Sequence, residues 1–172
     1  MKPNLQTIAN LQIQAENKVN ILGSNISIWN LDETLTHLLG TIKKSEPVNP
    51  SEKIYVCVSN VHTVVMGRWD KSFAFVTNQA GLATADGVPL IWASRVLQKS
   101  QSFQNSTIHG RASGPDILRE ALTRKEWLGV KHFFYGSTTS VLEKLQTTIS
   151  RDFSQSTIAG MYSAAVRPGF TP

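Results

Sequence analysis

Apolar positions along the chain change period several times, and each change marks an element. Val19 to Leu22 is a short apolar run ending at Gly23, after which Ile26 and Ile28 alternate, predicting two short strands around a turn. Asn30 then precedes Leu31, Leu35, Leu38, Leu39 and Ile42, one face of a helix, with Asp32 and Glu33 in its first turn and Lys43 and Lys44 in its last. The two prolines of EPVNPSE stop that helix. KIYVCVSN follows as a β-branched run without polar alternation, the pattern of a strand covered on both faces and closed by Asn60.

Val61 to Trp69 and Lys71 to Asn78 read as two short helices broken near Asp70, and Leu82 to Thr84 as a brief strand before Asp86. Val88, Ile91, Trp92 and Val96 recur at helical spacing, with Pro89 tolerated in the first turn because the amides there have no partner inside the helix. A polar loop, KSQSFQNSTIHG, leads to Ser113 and Asp116, an S-x-x-D capping pattern before Ile117, Leu118, Ala121 and Leu122. KHFFYGS is a strand ending in glycine, Val141, Leu142, Leu145 and Ile149 mark a helix, and STIAGMYS is a last strand. Strands alternating with helices predict an α/β fold: a Rossmann-like, mainly parallel sheet with helices on both faces and a short N-terminal hairpin. In such sheets ligands bind beyond the carboxyl ends of the strands, which singles out VSN at 58–60, TADG at 84–87 and YGS at 135–137.

Length and composition narrow the setting. The 172 residues, 41% of them hydrophobic, are enough for one domain over 18–172, preceded by a mobile lead-in over 1–17. One cysteine, Cys57, allows no internal disulfide; its place in IYVCV predicts burial in a strand and fits a reducing cytoplasm. The N-terminus has neither a secretory core nor an Arg-rich transit face, and no apolar window approaches a membrane span, so any membrane association is peripheral. Lys and Arg number 17 against 12 acidic residues, a net +5 that fits an anionic partner. The basic residues are scattered without a stacking motif, which argues against nucleic acid.

The junction residues carry the candidate chemistry. Asp86 could cap the following helix or act on a substrate, and local chemistry does not separate the two. Asn60 has the same two readings, cap or sugar-hydroxyl ligand. Arg111, just before a helix start, is a surface arginine or the bidentate partner of a phosphate. Gly136 permits a close backbone approach, but YGSTTS lacks the three-glycine dinucleotide fingerprint. The four histidines lack zinc-site spacing, and neither a G-x-S-x-G elbow, a P-loop nor a D-x-D pair occurs. No metal and no cofactor is expected.

Taken together, NVHTVVMGRWD, LATADGVPLIWASRVL, RASGPDIL, FFYGSTTSVLEKL and IAGMYSAAVRP resemble the WecG/TagA/CpsF glycosyltransferases from about Val19 onward. The ADGVPLIW segment is the most specific element and R-x-x-G-x-D the next. The resemblance implies a metal-independent, inverting hexosyltransferase that moves an N-acetylmannosamine-type sugar from a UDP donor to a polyprenyl-diphosphate-linked saccharide in surface-polymer synthesis. It implies Asp86 as catalytic base, Asn60, Gly87 and Arg111 in the sugar-nucleotide pocket, and Gly136 and Ser137 near the nucleotide. A cytoplasmic location at the inner face of the membrane goes with it, and so does compatibility with a homo-oligomer. Val58 stands where many relatives have threonine. The chain ends at RPGFTP, where relatives continue through a P-K-Q-E-like segment and a basic appendage, so the sequence resembles the N-terminal part of such an enzyme. The alternative expectation is a non-catalytic, nucleotide-sugar-binding remnant.

Overall fold

The computed structural model describes residues 17–44, 53–100 and 107–164. The expected lead-in up to residue 16 and the tail from residue 165 lie outside them. The chain forms two compact units that divide after Ile117.

In the first unit, β1 (Lys18–Ile21) and β2 (Ser24–Ser27) form the expected antiparallel hairpin, with Ile21 opposite Ser24 across a turn at Leu22 and Gly23. Helix α1 (Leu31–Lys44) begins with a reciprocal cap: Asn30 N–H donates to Glu33 Oε2 at 2.9 Å and Glu33 N–H to Asn30 Oδ1 at 3.0 Å. Its buried side chains are Thr34, Leu35 and Leu39, the face that the leucine spacing predicts. Strand β3 (Val56–Ser59) pairs in parallel with β4 (Leu82–Ala85), Ser59 opposite Ala85. Between them run α2 (Val61–Trp69) and α3 (Lys71–Gln79). Asp70 serves both helices: its N–H donates to Met66 O at 2.8 Å, and its Oδ1 accepts from Ser72 N at 2.8 Å and Phe73 N at 3.2 Å. Helix α4 (Val88–Ser100) follows β4, and α5 (Gly114–Thr123) follows the 107–113 segment.

The core of this unit gathers Val19, Ile21, Ile26 and Ile28 from the hairpin region with Val64, Ala83, Ala85, Leu90 and Ile108. Ala83 N–H donates to Ser27 Oγ at 3.2 Å, tying β4 to the hairpin. All four β4 side chains are buried.

Two expectations about this unit are corrected. β3 is not covered on both faces: among the described strands it pairs only with β4, Val58 is 38% exposed, and Cys57 is half-buried rather than buried. The apolar run that suggested full cover is a rim strand. On α4 the buried residues are Leu90 and Ser94, whereas Val88, Trp92 and Val96 are exposed at 46%, 61% and 65%. Of the four residues at helical spacing only Ile91 faces inward, partly buried against the core with Ala93 and Leu97, while the other three point outward.

The second unit holds β5 (Lys131–Tyr135) in parallel with β6 (Thr157–Tyr162), joined by α6 (Thr139–Asp152), whose Leu142 and Ile149 are buried. A 3-10 turn at Lys125–Trp127 precedes β5, and Ser156 Oγ donates to Leu122 O at 2.8 Å. The α/β class, short parallel pairing and N-terminal hairpin are thus those expected. Among the described residues no helix is long and apolar enough to cross a membrane.

Candidate functional site

Because β3 and β4 are parallel and in register, their carboxyl ends lie side by side, and the residue leaving each strand is a polar one: Asn60 and Asp86. A backbone bond extends the ladder one step past the strands, Asp86 N–H to Ser59 O at 2.7 Å. A second bond reaches Ala85 O from Ala112 N–H at 2.9 Å, bringing the residue after Arg111 against the last residue of β4. Asn60, Asp86, Gly87 and Arg111 are therefore brought to one rim of the first unit by two backbone contacts.

The 107–112 segment that makes this possible is more than the polar loop its composition predicts. Ile108 is buried, its N–H donates to Ser94 Oγ at 3.1 Å, and His109 N–H donates to Ile28 O at 2.6 Å. His109 Nδ1 sits 2.8 Å from Glu33 Oε2. Burial raises the Glu33 pKa, but the Asn30 amide and His109 outweigh it and hold the carboxyl below its ordinary value. The lone isoleucine amid polar residues was the one sequence signal for this anchoring.

Each candidate has a distinct local role. Gly87 precedes the first residue of α4 and has φ +144°, a backbone state that L side chains rarely adopt, which accounts for glycine after the aspartate. Asp86 lies one residue further out, half-buried, and its carboxylate has no hydrogen-bond or ion-pair partner among the described residues. It does not cap α4. Asn60 is the N-cap of α2: its Oδ1 accepts from Thr63 N at 3.0 Å while Asn60 N–H donates to Thr63 Oγ1 at 2.9 Å. That leaves its Nδ2 amide as the group available to a ligand.

Arg111 Nη2 donates to Asp116 Oδ2 at 2.7 Å, and the same oxygen accepts from Ser113 Oγ at 2.5 Å. Asp116 N–H closes the predicted cap with Ser113 Oγ at 3.4 Å. The guanidinium is thereby held beside the first turn of α5 with further N–H donors outward, an arrangement suited to an anion. Gly136 and Ser137 belong to the second unit, where Gly136 N–H donates to Tyr162 O at 2.9 Å and Ser163 Oγ donates to Ser137 O at 2.9 Å. Their φ values are +122° and +62°, and the second is unusual for serine. Gly136 faces open space.

A cavity of about 140 Å³ lies elsewhere, lined by Lys18, Ser27, Trp29, His37, Gly81 and Leu82. Leu82 opens β4 and Asp86 follows its end, so the cavity is roughly 13 Å along the strand from the carboxylate. It has no part in the rim chemistry. Among the described residues no three His, Cys, Asp or Glu side chains gather to hold a metal.

A carboxylate without a partner, an amide donor and an anchored guanidinium at strand carboxyl ends form a set that can take a proton and balance phosphate charge. No curated protein was found to match the chain. The family model described as "Glycosyl transferase WecG/TagA/CpsF family" matches residues 19–171, nearly all of it. The chain belongs to the WecG/TagA/CpsF family of glycosyl transferases, whose members act in the synthesis of cell-surface polymers.

Proposed function

We propose that the chain transfers an N-acetylmannosamine-type sugar from a UDP donor to a polyprenyl-diphosphate-linked saccharide, by a metal-independent, inverting displacement at the rim carrying Asp86. The observation that carries this reading is the partnerless Asp86 carboxylate, set between Ser59 and Ala112 by its own and its neighbour's backbone. In the reaction the acceptor hydroxyl oxygen bonds to the anomeric carbon and its proton passes to Asp86. The bond from that carbon to the diphosphate oxygen breaks, and UDP leaves with the electron pair. Arg111 and the amides at the start of α5 offset the charge that develops on the departing diphosphate, and the Asn60 amide donates to a sugar oxygen. The second unit offers a backbone turn of its own at Gly136 and Ser137 to a nucleotide, and the transferase domain is taken as 18–172.

A positioned base typically contributes about 10²–10⁴-fold to rate. UDP release from UDP-N-acetylmannosamine in the presence of a polyprenyl-diphosphate saccharide, without added metal, is therefore expected to fall by that factor in Asp86→Asn with the circular dichroism spectrum unchanged. Wild-type turnover in the variant removes Asp86 from the chemistry. One other reading is a nucleotide-sugar-binding protein without transfer. UDP binding by titration calorimetry with no UDP release in the transfer assay would select it.

A further inference from the structure

The cavity at the amino end of β4 has a lining unlike the rim. Part of it is aromatic: the Trp29 and His37 rings meet with centroids 4.4 Å apart, tilted by 45°. Leu82, 1% exposed, adds an aliphatic surface. Partial burial, and then the charge of Lys44, hold the His37 imidazole below its ordinary pKa, so at neutral pH it is an uncharged ring. The charged group of the lining is Lys18, half-buried at the start of β1 opposite Ser27. Its Nζ donates to Ala80 O at 3.3 Å, beside Gly81, which leaves two of the three ammonium donors. No carboxylate pairs with it among the described residues, and no acidic side chain lines the cavity. Burial without a counter-ion pulls the Lys18 pKa down.

We infer that this cavity binds a small aromatic monocarboxylate, with its ring against Trp29 and Leu82 and its carboxylate on Lys18. The volume of about 140 Å³ is close to the roughly 150 Å³ that admits a benzene ring in a protein interior. The carboxylate supplies the counter-ion that the half-buried ammonium lacks, in a charge-assisted hydrogen bond. An uncharged aromatic molecule leaves that ammonium unanswered, and a bare inorganic anion has no ring to set against the indole and the leucine. The cavity lies at the opposite end of β4 from Asp86, so the inference goes beyond the transfer reaction and is independent of it.

The test is an amide NMR titration of the isotope-labelled full chain with benzoate, beside benzyl alcohol and inorganic phosphate. The expected result is a saturable set of shifts with benzoate, centred on the amides of Lys18, Ser27, Gly81 and Leu82. Benzyl alcohol and phosphate bind about tenfold more weakly or worse, and Lys18→Gln weakens benzoate by about the same factor. Lys18→Arg, which keeps the charge, retains most of the affinity, and Lys144→Gln on α6 leaves it unchanged. Circular dichroism accompanies each variant, and the comparison of benzoate with benzyl alcohol on the unmodified chain stays decisive if Lys18→Gln misfolds. Absence of saturable shifts, shifts centred elsewhere, equal binding of benzyl alcohol or phosphate, or indifference to Lys18→Gln would each overturn the inference.

Discussion

Thr84, in the middle of the strand that delivers Asp86, is fully buried, and its Oγ1 has no hydrogen-bond partner. Replacing it with valine keeps the β-branched shape that the strand accommodates and exchanges the hydroxyl for a methyl group. A buried hydroxyl left without a partner costs about 1–3 kcal/mol, and the added methyl brings roughly 0.8 kcal/mol of apolar transfer. Some of this is lost to imperfect fit in a packed site, so the net expectation is a gain of about 1–2 kcal/mol. For a chain of this length that raises the melting temperature by roughly 2–8 °C. Urea titration of wild type and Thr84→Val, followed by circular dichroism, checks it, with equal m-values required before midpoints are compared. A lower midpoint for the valine variant would refute the reasoning, since it would mean that the hydroxyl bonds to something such as an internal water.

Two further predictions concern the caps that frame the rim. Asn60→Ala removes the side-chain acceptor for Thr63 N–H and is expected to cost about 0.5–2 kcal/mol, read as a lower urea midpoint and faster amide exchange at Thr63. Asn60→Asp, which keeps that acceptor, should restore the midpoint. The Glu33 carboxyl has a folded pKa below its ordinary value, so it stabilises the fold above the unfolded carboxylate pKa, and this contribution is lost as pH falls through the lower folded value. The stability profile of Glu33→Gln is therefore expected to be flatter below about pH 4.5; superimposable profiles would dismiss the interaction.

What could be read from the sequence was what is decided within one or two helical turns. The break at Asp70, the Ser113–Asp116 cap and the glycine turn at 136 rest on neighbours in sequence, and all three stand in the structure. Which face of α4 is buried was not legible. Leu90 and Ser94 are selected by what they meet, including the amide of Ile108 fourteen positions on, and a periodicity count cannot weigh that. The exposure of Val58 and the half-burial of Cys57 depend on which strands flank β3, another long-range fact. At the candidate site, the strand-end positions of Asn60 and Asp86 were legible, and so was the cap at Asn60 as one of two readings. The pairing of Arg111 with Asp116 and the Glu33–His109 contact across 76 positions were not.

The last residue of β4 and the one after it are gripped by main chain from opposite sides, Ser59 on one and Ala112 on the other. The placement of residue 86 is thus independent of what its side chain is. Its chemistry can be rewritten while its address stays fixed, so a series of substitutions at this one position reports on proton transfer without first having to be corrected for a shifted backbone.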